Sequence, residues 1–168
     1  TASVARSYVE NSLESMSLPL KTYYIISAFR YERPQAGRLR EFHQFGAEVY
    51  GATSPYLDLD CITFAYDALK SLGLKNIRLK LNSIGCADCR KKYVEALRGY
   101  FAERLDEMCG TCRERYGRNA LRLLDCKNPE CKKIAEGAPV ILDYLCDDCR
   151  AHHETLCSLL DESGMPYE

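Results

Sequence analysis

The sequence lacks any long apolar run and any surplus of charge of one sign. Among its 168 residues, no hydrophobic stretch approaches the roughly 20 residues that a transmembrane helix needs, and no signal-peptide pattern precedes the first motif. The 23 lysines and arginines nearly balance the 24 aspartates and glutamates, so the formal net charge is −1. This balance excludes a general attraction to nucleic acid, and any RNA contact needs local basic patches. We expect a soluble, cytoplasmic protein that does not bind membranes.

The chain also lacks an initiating methionine. It begins with Thr1 in what reads as the first turn of a helix, and it ends with MPYE, which is typical of the start of a strand. We interpret it as a piece of a larger protein. With 46% hydrophobic and 28% charged residues, it still contains enough apolar material for a buried core.

The densest pattern lies in residues 29–51, which read FRYERPQAGRLREFHQFGAEVYG. It predicts two strands joined by a basic loop that contains glycine and proline. Alternate residues of a strand share a face, and one face of the second strand carries Phe42, Gln44, Gly46 and Glu48. The other face, which carries His43, Phe45, Ala47 and Val49, is mostly apolar and is expected to pack on a core. An aromatic ring beside several arginines suits a nucleotide, because the base stacks and the phosphates accept hydrogen bonds from guanidinium groups. The amide and the carboxylate suit a small ligand that bears an amine.

This stretch resembles motif 2 of class II aminoacyl-tRNA synthetases. In particular, it is similar to the string FRxERPQxGRxRxFHQxGxExxG of the histidyl-tRNA synthetase family. Other segments resemble the same family, namely TASVARSYVE, KLNSIG, DCKNPEC and ILDYL, so the resemblance covers essentially the whole chain. It implies a histidine–tRNA ligase in which ATP and histidine form histidyl-adenylate, Mg²⁺ orients the pyrophosphate, and the histidyl group passes to the acceptor end of tRNA(His). It also implies a homodimeric parent protein.

The resemblance implies an ATP-binding role for four residues. Arg30 matches the catalytic arginine that contacts the α-phosphate of ATP. Arg38 matches a residue at the γ-phosphate end. Phe42 matches the ring on which adenine stacks, and Glu32 matches a residue near the adenine amino group.

The same resemblance assigns residues to the other two substrates. Gln44 and Glu48 match residues that hold the α-ammonium group of histidine, and Gln35 matches a position that approaches the tRNA acceptor end. A structural ion pair for Glu48 and a plain polar loop position for Gln35 are the alternatives. The family's PEGT segment, its RGLDYY-type segment with the second catalytic arginine, motifs 1 and 3 and the anticodon-binding domain are absent from this sequence. We therefore predict that the chain alone has no ligase activity.

Ten cysteines are present, and eight of them form close pairs: Cys86/Cys89, Cys109/Cys112, Cys126/Cys131 and Cys146/Cys149. Three pairs have the CxxC spacing that lets two thiolates bind one ion, and a tetrahedral Zn²⁺ takes four, so the pairs predict two structural zinc sites. Disulfides, a redox dithiol, reduced thiols and iron–sulfur ligation are the alternatives. The remaining Cys61 and Cys157 occupy apolar helix positions and are interpreted as core residues.

Helix length predicts which pairs share an ion. A single helix from Cys86 to about Met108 would be roughly 33 Å long at 1.5 Å per residue, so the first two pairs would be too far apart to meet. We expect one site at the far tip, made of Cys109, Cys112, Cys126 and Cys131. The other site is then made of Cys86, Cys89, Cys146 and Cys149. Zinc is not implied by the family resemblance, since many family members carry other residues at these positions.

The resulting fold prediction is α+β. Residues 1–82 form part of the antiparallel class II synthetase sheet with flanking helices, residues 83–163 form a mostly helical, metal-binding insertion domain, and residues 164–168 return to the catalytic core. Strands are expected over 22–31, 41–51 and about 77–81, and a helix is expected after Ser54. Two alternatives to a ligase are a non-catalytic synthetase paralogue that regulates histidine biosynthesis and a zinc-stapled module that binds the tRNA acceptor stem.

Overall fold

The computed structural model describes residues 2–168, so the helical position expected for Thr1 lies outside the described residues. Contacts divide the chain into two compact units. The first unit ends at Ile77, and the second covers Arg78–Glu168. The first contains the antiparallel sheet and the second is mostly helical, which confirms the α+β prediction.

An antiparallel hairpin forms the centre of the first unit. Strands β1 (Leu20–Phe29) and β2 (Glu41–Tyr50) pair over their whole length, from Leu20 opposite Tyr50 to Phe29 opposite Glu41. Both segments are rich in aromatic residues, which fit the pleated surface of a strand. The predicted strands are confirmed to within two residues at each end.

Two helices flank this hairpin in the sequence. Helix α1 covers Ala2–Glu10, and helix α2 covers Pro55–Ser71. The expected start of α2 is confirmed, because the Ser54 hydroxyl accepts a hydrogen bond from the backbone N–H of Tyr56 and proline occupies the first helical position. The helix ends before Gly73, whose φ of 82° is the left-handed conformation that commonly stops a helix.

One face of the hairpin stays open to solvent. Tyr23, Ile25 and Phe29 on this face are 79%, 75% and 74% exposed. The alternation of residues predicted a core face here, but α2 approaches only the end of the sheet near Val49. Cys61 on α2 is exposed for the same reason, so the expectation that it is a core residue is wrong in this structure.

Five helices form the second unit: α3 (Ala87–Ala102), α4 (Gly110–Arg118), α5 (Leu121–Leu124), α6 (Pro129–Glu136) and α7 (Asp147–Glu162). Turns of 3₁₀ helix cover Leu105–Glu107 and Ile141–Tyr144. Helix α3 buries a stripe with a spacing of four residues, namely Cys89, Tyr93, Leu97 and Phe101. Such spacing places side chains on one helix face, which here forms the centre of the core.

The predicted single helix from Cys86 to Met108 is wrong, because α3 ends at Ala102. After this point Arg104 donates a hydrogen bond from Nη1 to the Tyr100 carbonyl and lies 4.1 Å from the centroid of the Tyr100 ring. The chain then turns, and Met108 enters the core with only 2% exposure. The 16 residues of α3 still span about 24 Å at the helical rise of 1.5 Å per residue.

The two ends of the second unit lie side by side. Leu79 and Tyr167 form a parallel bridge, the Leu81 N–H donates to the Glu168 carbonyl at 2.9 Å, and the Glu168 N–H donates to the Leu79 carbonyl at 3.0 Å. The strand predicted at 77–81 is thus reduced to this short bridge. No helix in the described part of the chain is long and apolar enough to cross a membrane.

Candidate functional site

The hairpin register places the motif residues on one face of the sheet. Residues directly opposite each other in an antiparallel pair share a face. Phe42 lies opposite Ala28, Gln44 opposite Ile26, and the next two pairs are Gly46 with Tyr24 and Glu48 with Thr22. We call this face, which also carries Arg30, the motif face.

Arg30 and Phe42 form one end of the motif face. The Arg30 guanidinium carbon lies 4.5 Å from the centroid of the Phe42 ring, and its Nε donates a hydrogen bond to the Leu39 carbonyl at 2.8 Å. This cation–π contact holds a positive charge beside a flat apolar surface. The pair can therefore bind a ligand that combines an aromatic ring with an anion.

The connecting loop ends in a tight turn. Gln35 and Arg38 exchange backbone hydrogen bonds of 3.2 and 2.9 Å, and Gly37 adopts the φ of 72° that this turn requires. Arg38 makes a two-point ion pair with Glu32, in which Nε lies 2.6 Å from Oε2 and Nη2 lies 3.1 Å from Oε1. The two residues to which the resemblance assigns separate ATP contacts therefore bind each other here, and Gln35 is exposed at the turn.

Tyr24 is a residue of the motif face that the sequence analysis missed. Its hydroxyl accepts a hydrogen bond from Gln44 Nε2 at 2.8 Å. Its ring crosses Gly46, where an added Cβ would overlap the ring atoms. The pairing of the two strands reveals this role, because Tyr24 lies directly opposite Gly46. Glycine at this position makes room for the Tyr24 ring.

The opposite end of the motif face is formed by Tyr50 and Glu48. The Tyr50 hydroxyl is buried and finds no hydrogen-bond partner among residues 2–168. Burial raises the pKa of Tyr50, and the nearby Glu48 carboxylate and Tyr24 raise it further. A buried hydroxyl without a partner costs free energy, so this end of the face favours a ligand that brings a polar group. The Tyr50 ring stacks on Tyr8 of α1, with centroids 4.6 Å apart.

The eight paired cysteines converge in two groups within the second unit. The proximal group consists of Cys86, Cys89, Cys146 and Cys149. The distal group consists of Cys109, Cys112, Cys126 and Cys131. Within each group the sulfur atoms all lie within 4.8 Å of one another. This grouping is the nested arrangement that the sequence predicted, and each group can hold a metal ion.

Helix starts position these sulfurs. In every pair the second cysteine is the third residue of a helix: Cys89 in α3, Cys112 in α4, Cys131 in α6 and Cys149 in α7. In the three CxxC pairs, the first cysteine is the N-cap of the same helix. The helix dipole favours negative charge at this end, so the local structure favours thiolates.

Backbone hydrogen bonds connect the pairs within each group. The Cys146 N–H donates to Cys89 Sγ at 3.1 Å in the proximal group. The Cys109 N–H donates to Cys131 Sγ at 3.2 Å in the distal group. In both groups the acceptor is a buried sulfur, so the same type of hydrogen bond connects the two pairs of each group.

Sulfur spacing fits a single tetrahedral ion. Four ligands at a Zn–S distance of about 2.3 Å place the sulfurs about 3.8 Å apart. Cys86 Sγ lies 3.5 Å from Cys89 Sγ, and Cys109 Sγ lies 3.8 Å from Cys126 Sγ. A disulfide bond would require about 2.05 Å, and all ten cysteines are free in this structure.

Crowding of the thiols alters their acidity. The backbone N–H of Cys112 lowers the pKa of the Cys109 thiol to about 7. A hydrogen bond with the Cys146 thiol raises the pKa of Cys149 to about 12, and burial raises the pKa of Cys112 and Cys131. Ionisation of one thiol thus disfavours ionisation of its neighbours, and a bound divalent cation would stabilise all four thiolates of a group.

Comparison with known proteins decides the family. The sequence profile of the family described as "Histidyl-tRNA synthetase" matches residues 1–98, more than half of the chain. This chain belongs to the histidyl-tRNA synthetase family.

Relatives and a solved structure agree with this assignment. The chain is 51% identical over its 168 residues to the histidine–tRNA ligase of Clostridium novyi and 50% identical over the same length to that of Caldicellulosiruptor saccharolyticus. It is also similar to the crystal structure of apo S. aureus histidyl-tRNA synthetase, with a TM-score of 0.72 and 33% identity over 99% of this chain and 38% of that one. The chain spans about 40% of the length of these curated relatives.

The close approach of the Tyr24 ring to Gly46 gives a first prediction. Gly46→Ala should destabilise the hairpin by about 1–3 kcal/mol, because the new methyl group overlaps the Tyr24 ring. In the double variant with Tyr24→Ala, most of this cost should disappear, since the methyl group then has room. Urea unfolding followed by tyrosine fluorescence measures both values.

Gly99→Ala on α3 is the matched control for this experiment. A Cβ at Gly99 meets nothing within 4 Å, so this change should leave stability unaltered or raise it by up to about 1 kcal/mol. Equal effects of Gly46→Ala with and without Tyr24 would contradict the proposed close approach.

Proposed function

We propose that this chain forms the motif 2 part of the active site of a histidine–tRNA ligase, an enzyme of protein biosynthesis that uses ATP. The observation that carries the proposal is the single motif face, on which the Arg30–Phe42 pair lies on the same side of the sheet as Gln44 and Glu48. Membership of the histidyl-tRNA synthetase family supports it.

Arg30 and Phe42 are proposed to act on ATP. Adenine would stack on the Phe42 ring, with Glu32 near its amino group. Arg30 would neutralise the negative charge that develops at the α-phosphate as the histidine carboxylate attacks it, which is the transition-state stabilisation that a fixed guanidinium can provide. Mg²⁺ is the expected cofactor, and it would supply charge neutralisation at the pyrophosphate.

Arg38 is proposed to bind the γ-phosphate end of ATP. In this structure the Arg38 guanidinium already forms a two-point contact with the Glu32 carboxylate. A phosphate offers the same paired oxygen acceptors, so nucleotide binding would exchange one anionic partner of Arg38 for another and leave Glu32 for the base.

Gln44 and Glu48 are proposed to hold the α-ammonium group of histidine. Because Gln44 Nε2 donates to the Tyr24 hydroxyl, the amide oxygen remains available to accept a hydrogen bond. The half-buried Glu48 carboxylate supplies the opposite charge. Tyr24 is then a positioning residue, since it fixes the orientation of the Gln44 amide.

The remaining elements of a ligase are proposed to lie outside the matched 40% of the relatives. We therefore propose that the chain alone does not aminoacylate tRNA, that the parent protein is a cytoplasmic homodimer, and that Gln35 approaches the acceptor end of tRNA(His). A non-catalytic paralogue that regulates histidine biosynthesis would not need Arg30 and Arg38 to activate ATP, so an assay of adenylate formation separates the two functions.

We further propose that residues 83–163 form an insertion whose two four-cysteine groups each bind a structural Zn²⁺. Sulfur spacing near 3.8 Å and the positions at four helix starts support zinc. An iron–sulfur cluster would need ligands spaced around several iron atoms. The paired ends at Leu79 and Tyr167 support an insertion, because they allow the chain to leave and re-enter another domain at one place.

A basic cleft favours an additional RNA-binding role for the insertion. The cleft lies along α4 and α5, has a volume of about 400 Å³, and is lined by Thr111, Glu114, Arg115, Arg118, Asn119 and Arg122. Three guanidinium groups in one cleft can bind backbone phosphates. We propose that they contact the acceptor stem of tRNA.

A chimaera tests the ligase proposal. This chain would replace the matching segment of the Clostridium novyi ligase, to which it is 51% identical, and ATP–pyrophosphate exchange would be measured with histidine. We expect activity in the chimaera, a loss of about 100-fold or more with Arg30→Ala because one transition-state charge contact is removed, and little change with Arg33→Ala in the exposed loop. A folded but inactive chimaera would favour the regulatory paralogue.

Elemental mass spectrometry tests the zinc proposal. We expect two zinc ions per chain, and one per chain in Cys112→Ser, because the distal group loses a buried ligand while the proximal group is untouched. Cys61→Ser, which changes an exposed cysteine outside both groups, should retain two. Loss of both ions from Cys112→Ser would rule out the nested arrangement.

Binding to an acceptor-stem minihelix tests the basic cleft. The double variant Arg118→Glu/Arg122→Glu should weaken binding of the full chain by about tenfold or more and reduce its salt dependence, because two phosphate contacts are lost. Lys91→Glu/Lys92→Glu, which reverses the same number of exposed charges on α3 away from the cleft, is the control. Equal losses in the two variants would show that only overall charge matters.

A further inference from the structure

The proximal and distal cysteine groups differ in how well the protein shields their sulfurs from solvent. In the distal group Cys112 and Cys131 are buried, and the other two cysteines are half-buried. In the proximal group only Cys89 is buried, and Cys86 is exposed. Cys86 is therefore the one ligand of the eight that solvent reaches freely. Since thiolate oxidation depends on access, the two groups should differ in reactivity.

Cys86 also has a partner at the distance and position that disulfide formation needs. Its sulfur lies 3.5 Å from that of Cys89, and both belong to the first turn of α3. A helix N-terminus stabilises a thiolate, and a CxxC pair at such a position is the arrangement found in redox-active dithiols. The other CxxC pairs share this position at a helix start, but their first cysteines are half-buried.

We infer that the proximal group is a redox-sensitive metal site. A two-electron oxidant of the hydroperoxide class converts Cys86 and Cys89 into a disulfide and releases the proximal ion, while the distal ion stays bound. This inference rests on the zinc binding proposed above, and it adds to it a difference in function between the two groups.

The reaction balances with hydrogen peroxide as the oxidant. The exposed Cys86 thiolate attacks one peroxide oxygen, the O–O bond breaks, and a sulfenic acid forms at Cys86 while the departing hydroxide takes a proton to become water. The Cys89 thiolate then attacks the Cys86 sulfur, an S–S bond forms, and a second hydroxide leaves as water. Two thiolates, one peroxide and two protons thus give one disulfide and two waters. Only Cys146 and Cys149 would then remain as thiolate ligands in the proximal group, so it would no longer hold a Zn²⁺ ion.

Loss of the proximal ion would weaken the connection between the start of α3 and the start of α7. The group joins the start of α3 to the start of α7, and the Cys146 N–H bond to Cys89 Sγ is part of the same connection. The distal group ties only α4 to the segment that leads into α6. Oxidation would therefore loosen the base of the unit and leave its tip folded, so the position of the basic cleft would depend on the redox state.

Treatment of the full, zinc-loaded chain with hydrogen peroxide tests the inference. Released zinc would be followed with a zinc-responsive dye, and thiol oxidation would be mapped by differential alkylation and mass spectrometry. We expect one zinc ion to leave at least about tenfold faster than the other, with a Cys86–Cys89 disulfide formed in step. Dithiothreitol and added zinc should restore the original state. Cys61→Ser, which removes an exposed thiol outside both groups, should behave like the unaltered chain.

A variant separates oxidation from simple metal loss. Cys86→His keeps a zinc ligand but cannot form the disulfide, so peroxide should release no more zinc from it than from the distal group. Three results would overturn the inference and leave the zinc proposal intact. Both ions could leave together, the distal cysteines could be oxidised first, or the proximal thiols could stay reduced at peroxide levels that oxidise Cys61. A chain that binds no zinc before oxidation would contradict both.

Discussion

The second unit depends on one constraint, which is the convergence of four sulfurs in each of two groups, all but Cys126 at helix starts. Each pair places its second cysteine as the third residue of a helix, so each metal group fixes where two helical segments begin. The buried cysteines Cys89, Cys112 and Cys131 belong to the same core as Leu97 and Phe101. Four thiolates brought this close repel one another, and a divalent cation converts the repulsion into attraction. If both groups bind zinc as proposed, metal binding and folding of this unit would be coupled.

In the hairpin of the first unit, the register of the two strands determines which side chains share the motif face. A shift of one residue in the pairing would send Arg30, Phe42 and Gln44 to the wrong faces. The turn closed by Gln35 and Arg38 and the Tyr24 ring over Gly46 both oppose such a shift. The charged and aromatic groups proposed to hold ATP and histidine are therefore positioned mainly by backbone pairing.

The motif face and the cysteine groups could be predicted from the sequence. The end of α3, the role of Tyr24 and the exposure of two cysteines could not, for physical reasons that can be named. Period-two alternation predicted the motif face, and cysteine spacing with helix length predicted the nested groups, because both depend on local geometry. The end of α3 was mispredicted because the burial of Met108 in the core, which requires the chain to turn after Ala102, is a tertiary effect. Tyr24 was missed because its role appears only when the two strands are paired. The exposure of Cys61 and Cys86 likewise depends on packing that no periodicity encodes.

X-ray absorption at the zinc edge tests most directly whether two four-cysteine zinc centres organise the helical unit. We expect a first shell of four sulfur atoms at about 2.3 Å averaged over both sites, with no nitrogen or oxygen ligands. A shell in which light atoms replace one or more sulfurs on average would contradict it, because at least one group would then be incomplete.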